Sequence, residues 1–334
     1  MRVLVVDDSA FMRRIVSDIL GTDPQLNVVG TACNGLEALE KIPKLHPDVI
    51  TMDVAMPKMD GLTALRHIMT DYPTPIIMLS SLTREGADIT LKALEYGAID
   101  YVLKPSGPIS IDLPKVQAEL ISKVKSAAYA KIIKPNIKPV PPVPLSSKTK
   151  SVVLIGASTG GPAALESILV ALPQEIPPIL IVQHMPQTFT KRFAERLAGL
   201  CRFEVKEAEE GDYIIRNRVL IAPGGYHMTV SKEERVHLNT DPPVHAVRPA
   251  VDPMMQTAAE VFRSKSLGVI LTGMGRDGAN GLRAIKQKGG TTIAQDEETS
   301  TIFGMPKAAI DEGVADITLP LQKIPQEIMT QCQK

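Results

Sequence analysis

The chain has 334 residues, too many for one ordinary hydrophobic core, and 44% of them are apolar, enough to pack two. Lys plus Arg and Asp plus Glu both number 37, aromatics reach only 4% and Trp is absent, which argues against a dedicated nucleic-acid binder with a basic face or base-stacking platforms. The cysteines Cys33, Cys201 and Cys332 are scattered and odd in number, which excludes a disulfide framework or a zinc spacing and fits a reducing compartment.

The chain opens on the strand-like RVLVV, with no signal-peptide pattern before it, and no apolar run approaches the length of a membrane span. A cytoplasmic protein without membrane insertion is expected. Strands are predicted at VLVV (3–6), NVVGTA (27–32), DVITM (48–52), PIIML (75–79) and DYVL (100–103). Between them FMRRIVSDIL, GLEALEKI, LTALRHIM and ADITLKALEY read as helices, followed by LPKVQAELISKVKSAAYAKI over 113–132. Five βα units predict a doubly wound parallel sheet, whose ligands bind beyond the carboxyl ends of the strands.

Asp7 and Asp8 follow the first strand and Asp53 follows the third, so all three converge on one crevice. Carboxylates crowded in this way repel unless a hard cation neutralises them, and oxygen donors suit Mg²⁺. Ser80 ends the fourth strand and Lys104 the fifth; a hydroxyl and an ammonium at the same rim can bind phosphoryl oxygens. Pro105 should hold Lys104 extended, with a cis peptide as one way to do so. Adjacent aspartates after a strand also serve as ordinary helix caps, and a Lys before Pro as a solvated loop charge. Taken together in this order, the elements make residues 1 to about 125 resemble the response-regulator receiver domain. That resemblance implies that Asp53 accepts a phosphoryl group from a chemotaxis histidine kinase. It makes Asp7, Asp8 and Asp53 the Mg²⁺ ligands with the Ala55 carbonyl, Ser80 and Lys104 the phosphoryl sensors, and Tyr101 an aromatic switch.

KPNIKPVPPVPLSSKTK, residues 134–150, carries five prolines and no apolar periodicity. It reads as a semi-extended linker, able to span about 50 Å at roughly 3 Å per residue. An ordered loop packed on one domain is the other reading. The expected division is a domain over 1–125, a helix end and linker over 126–150, and a second domain over 151–334.

After the linker, SVVLI, PILIVQ, RVLIAP, LGVILT and TTIAQ are predicted strands, with helices such as PQTFTKRFAERLAGL between most of them. GGYHMTVSKEERVHLN reads as an antiparallel hairpin. The fold class expected for the whole chain is α/β: two doubly wound parallel-sheet domains, five-stranded first, then a larger Rossmann-like one with that hairpin. VLIGASTGGPAAL (153–165) could cradle a phosphate or present a nucleophile. A dinucleotide site needs an acidic residue after the next strand, but PILIVQHMP ends in Gln183, His184 and Met185, and no P-loop Lys-Ser or Lys-Thr pair is present. Ser158, His184 and, in LTGMGRDGANGL, Asp277 each lie at the carboxyl end of a strand, which is the logic of a Ser-His-Asp triad. The glycines around Met274 would let backbone N–H groups face an oxyanion. Spacing alone leaves Ser158 and Asp277 open as simple helix caps.

IGASTGGPAAL, VQHMP, APGGYHM, RPAVD, LTGMGRDGANGL and AQDEETSTIFGMP together resemble the catalytic domain of the chemotaxis protein-glutamate methylesterase (CheB) family. The resemblance implies hydrolysis of glutamate methyl esters on methyl-accepting chemoreceptors, with release of methanol, and deamidation of receptor glutamines. It implies Ser158, His184 and Asp277 as the triad, Met274 in the oxyanion hole, Thr159 lining the site, no cofactor for the esterase, and recruitment to chemoreceptor arrays. HAVRPAVD departs from the family pattern at Val247 and Ala250, which opens the contacts around Arg248. The competing readings are a non-catalytic receiver-linked adaptor that binds receptors, and a transcription regulator, which the absence of a basic recognition helix disfavours.

Overall fold

A computed structural model describes residues 1–104, 113–132, 137–142 and 151–333. The chain divides into two compact units, Met1–Lys134 and Pro135–Lys334.

The first unit alternates β1 (Arg2–Val6), α1 (Ala10–Leu20), β2 (Asn27–Ala32), α2 (Gly35–Leu45), β3 (Val49–Asp53), α3 (Gly61–Asp71), β4 (Ile76–Ser80), α4 (Arg84–Glu95), β5 (Asp100–Leu103) and α5 (Leu113–Ala127). The strands pair in parallel in the order β2-β1-β3-β4-β5. Strands covered on both faces read as unbroken apolar runs, and β3 and β4 are buried at every position. The order reverses between β1 and β3, which puts Asp7 and Asp53 at the switch point. Asp53 closes β3 instead of following it, and α5 stops at Ala127, five residues before the end of the apolar pattern. Pro105 and its peptide bond lie outside the described residues.

The second unit runs β6 (Val152–Ala157), α6 (Gly161–Ala171), β7 (Ile179–Gln183), α7 (Gln187–Leu200), β8 (Glu204–Glu207), β9 (Arg218–Ile221), the antiparallel pair β10 (His227–Val230) and β11 (Val236–Asn239), α8 (Val251–Phe262), β12 (Ser266–Ile270), α9 (Ala279–Gln287), β13 (Thr291–Gln295), α10 (Met305–Asp311), β14 (Ile317–Leu319) and α11 (Ile324–Gln331). Its parallel sheet has the order β14-β13-β12-β6-β7-β9-β8. The edges β8 and β14 are short and only partly buried, as edges must be to resist further pairing. The core wraps the central strands with Met254, Met255 and Phe262 of α8 and Leu282 and Ile285 of α9. Within the linker, Val140 is buried and its N–H donates to the Ala171 carbonyl, at 2.8 Å, at the end of α6; most of the remaining linker lies outside the described residues. No described helix is long and apolar enough to cross a membrane.

Candidate active site and acidic pocket

β12, β6 and β7 are neighbours at the centre of the second sheet. The register pairs Ala157 with Gln183, so Ser158 and His184 are the next residues beyond two adjacent strand ends. Ser158 is held by its backbone: its N–H donates to Thr272 O at 3.0 Å, and its carbonyl accepts from Gly161 N at 2.7 Å and Gln183 Nε2 at 3.0 Å. Gly273 lies against it so closely that a Cβ there would stand 2.7 Å from Ser158 Cβ and 2.4 Å from Met305 Sδ. Only glycine lets the two loops meet at this distance.

His184 Nε2 lies 2.8 Å from Asp277 Oδ2. With that nitrogen protonated toward the carboxylate, Nδ1 keeps the basic lone pair. Asp277 is 2% exposed. Burial raises its pKa, but the His184 hydrogen bond and charge and the N–H groups of Val251 and Asp252 outweigh that, and the carboxyl sits below its ordinary value of 3.8. Ser158 Oγ has no hydrogen bond among the described residues, and the two loops bring Ser158 and the His184–Asp277 pair to one end of the sheet. The Met274 N–H likewise has no acceptor among them. Thr159 is buried beside Ser158, its carbonyl accepting from Thr272 Oγ1 at 2.9 Å. Arg248, in the stretch that departs from the family pattern, donates Nη1 to the carbonyls of Thr240 (2.7 Å) and Asp241 (3.0 Å).

Two supports were not legible in the sequence. Gln183, buried at the end of β7, ties the serine loop to the histidine strand. Thr272, whose N–H donates to Gln295 Oε1 at 2.8 Å, braces that loop from the other side. The available signal was a glutamine ending an otherwise apolar strand.

In the first unit, oxygens of Asp7, Asp8 and Asp53 lie within 4.8 Å of one another. Asp7 and Asp53 are buried and Asp8 is exposed. Lys104 Nζ bridges Asp7 Oδ2 at 2.8 Å and Asp53 Oδ1 at 2.7 Å. Burial raises the Asp53 carboxyl against the pull of Lys104. Burial also opposes the charge on Lys104, but its bonds to Asp53 and Asp7 win and its pKa is raised. A Cβ on Gly61 would stand 2.0 Å from the Asp53 carbonyl, so α3 begins close beneath this strand end only because the residue is glycine. Ser80 is at the expected strand end, but its hydroxyl faces α4, accepting from Thr90 Oγ1 at 2.8 Å. Tyr101 is buried, with Lys123 Nζ 5.1 Å from its ring centroid. Ala55 is exposed next to Asp53.

Residues 153–328 match the family model described as CheB methylesterase, and residues 3–112 match that of the response regulator receiver domain. A protein-glutamate methylesterase/protein-glutamine glutaminase of Pyrococcus horikoshii is 51% identical over 98% of this chain and 93% of its own length. The protein of the same description from Thermotoga maritima is 46% identical, with 98% of each chain covered. The crystal structure of the Thermotoga maritima CheB methylesterase catalytic domain, 46% identical, covers 54% of this chain and 97% of its own with a TM-score of 0.52. These relatives lend no support to a non-catalytic adaptor.

Proposed function

The chain belongs to the CheB methylesterase family and carries a response-regulator receiver domain ahead of the catalytic one; from that premise we propose that it hydrolyses glutamate methyl esters and deamidates glutamines of chemoreceptors through Ser158, His184 and Asp277. The observation that carries this assignment is the 2.8 Å His184–Asp277 pair on the strand end next in register to Ser158. His184 Nδ1 takes the Ser158 proton as Oγ attacks the side-chain carbonyl carbon. Asp277, ionised at all working pH values, fixes the tautomer and stabilises the imidazolium. The oxyanion is received by the Met274 N–H beside Thr159. The imidazolium then protonates the departing methoxide oxygen, or the amide nitrogen of a glutamine, which leaves as methanol or ammonia; water, deprotonated by the same base, then hydrolyses the glutamyl ester on Ser158 to the free glutamate side chain and the serine hydroxyl. Measuring methanol release from methylated receptor fragments tests this: Ser158→Ala should be inert, and a variant of wild-type activity would remove the assignment.

The receiver takes its phosphoryl group on Asp53 from a chemotaxis histidine kinase. The oxygen-only set of Asp7, Asp8 and Asp53 fits a hard dication, and the Ala55 carbonyl is the further ligand that the receiver resemblance implies. Mg²⁺ held by these residues would neutralise the carboxylates and the incoming phosphoryl oxygens. Lys104, already between Asp7 and Asp53, pairs with the phosphoryl group, and Ser80 does so by turning from Thr90. The protein works in the cytoplasm at chemoreceptor arrays, where kinase and substrate are found together.

A further inference from the structure

The RPAVD stretch takes no part in the reaction above, yet its aspartate is among the most heavily bonded side chains of the catalytic unit. Asp252 is the second residue of α8 and 3% exposed. Its Oδ1 accepts from Gly278 N at 2.9 Å and Gly281 N at 2.7 Å. Its Oδ2 lies 3.0 Å from His245 Nε2 and 3.3 Å from Asn280 Nδ2. In return the Asp252 N–H donates to Asp277 Oδ1 at 3.0 Å and the Val251 N–H to Asp277 Oδ2 at 2.7 Å. The capping is reciprocal: Asp277 closes the N-terminus of α8, and Asp252 closes that of α9. Donor atoms of His245, Asp252 and Asp277 all fall within 4.8 Å of one another.

An Asn could accept from the Gly278 and Gly281 N–H groups, but its amide nitrogen would then face the Asn280 Nδ2 donor, so only a carboxylate accepts at both ends and holds the turn in one orientation. Burying a second carboxylate beside Asp277 is costlier, because like charges repel where water is excluded. What the carboxylate also adds over a neutral cap is negative charge close to the His184–Asp277 pair. His245 is delivered to it by a tight turn. Val244 and Val247 exchange backbone hydrogen bonds of 3.2 and 3.0 Å, while His245 (φ 53°) and Ala246 (φ 63°) both occupy the left-handed region. That region is sparsely used by residues with a Cβ. The other charges nearby are engaged elsewhere, Arg248 with Thr240 and Asp241, and Arg276 with Glu312. The ionisable groups bonded into the cluster are therefore His184, Asp277, Asp252 and His245.

We propose that Asp252 is a positioning residue for the esterase: it fixes the 277–281 turn so that Asp277 meets His184 in one orientation, and with His245 it forms an outer His–carboxylate pair behind the one that contacts the base. The inference rests on the triad assignment. Its test is steady-state kinetics and a pH–rate profile on the full chain with methylated receptor fragments, for Asp252→Asn, His245→Gln and, in parallel, Ser158→Ala. Asp252→Asn should melt like the wild type, lose about 10- to 100-fold in kcat and keep KM within about 2-fold, because orientation and not binding is lost. The midpoint of its acid limb should move to lower pH, since removing a negative charge disfavours the imidazolium. Wild-type kcat and midpoint in Asp252→Asn would overturn the proposal. If that variant does not fold, His245→Gln decides, its side chain lying in a partly exposed turn: a several-fold loss of kcat at unchanged KM supports the proposal, and wild-type kcat overturns it. An active Ser158→Ala would sink the triad itself, whereas an inert one beside a fully active Asp252→Asn would sink only this inference.

Discussion

The two units start their helices differently. In the receiver unit, α1, α2, α3 and α4 each begin on a side chain of their own: Ser9, Asn34, Asp60 and Thr83 accept from a backbone N–H three residues on. In the catalytic unit, α6, α7, α8 and α9 begin at Gly160, Pro186, Ala250 and Gly278, and none has a local side-chain cap. Where the cap is local, helix stability is a short-range matter and the chemistry rests on carboxylates at strand ends. Where it is missing, at α8 and α9, the free N–H groups are met by the remote carboxylates Asp277 and Asp252. Each of these uncapped helix starts hands its N–H groups to a carboxylate 25 to 29 residues away in the chain, which ties the 250–252 and 277–281 segments together.

The sharpest way to test that contrast is at the uncapped start of α6. Ser158→Ala should lower ester hydrolysis by about 10⁴-fold or more, and Ser158→Ala with His184→Ala should be little worse, because nucleophile and base act as a unit. Additive losses in methanol release would break the assignment. Asp277→Asn should cost less than either, since nucleophile and base both remain.

That same variant sharpens the comparison through pH. Asp277 is held below its ordinary value of 3.8, so the stability it contributes is complete above that value and lost as pH falls through the depressed one beneath it. Denaturant titrations between about pH 5 and pH 2 should show a steeper acid loss in the wild type than in Asp277→Asn. Equal slopes would mean that the carboxylate is not stabilised by its helix and histidine.

Next in size is the effect of the receiver unit on the catalytic one. A chain starting near Lys150 should outpace the unphosphorylated full chain, and a phosphoryl donor with Mg²⁺ should activate the full chain but not Asp53→Ala. If the shortened chain is no faster, the receiver acts by positive contact or by recruitment, not by occlusion. The smallest effect belongs to a local cap. Asp60→Ala should cost the receiver unit about 1 kcal/mol of stability, read as a lower denaturant midpoint of that unit. A loss much above that would mean Asp60 does more than accept from Thr63.

Much of this was legible in the sequence because burial on both faces writes a parallel strand as an unbroken apolar run. β3, β4, β6 and β7 could be read in that way, and the residues just beyond their ends carried the candidate chemistry. β8 and β14 escaped because an edge strand is short and half polar; EVKE and ITL carry no usable period. The direction of the Ser80 hydroxyl escaped because a strand position fixes a Cα, not a rotamer, and Thr90 ten residues on competes for it. Asp252, Gln183 and Thr272 escaped for a third reason. They act on backbone groups of loops brought near only by the fold, and no spacing along the chain encodes that.

The seating of Val140 on the end of α6 moves the edge of the catalytic unit. The chain is already tied to that unit at residue 140, well ahead of Val152 where β6 begins. Its hold is on the Ala171 carbonyl, at one end of the helix whose other end follows Ser158. Cutting the chain at Lys150 therefore also strips a backbone partner from α6, so the shortened chain should be compared with one that begins before Val140.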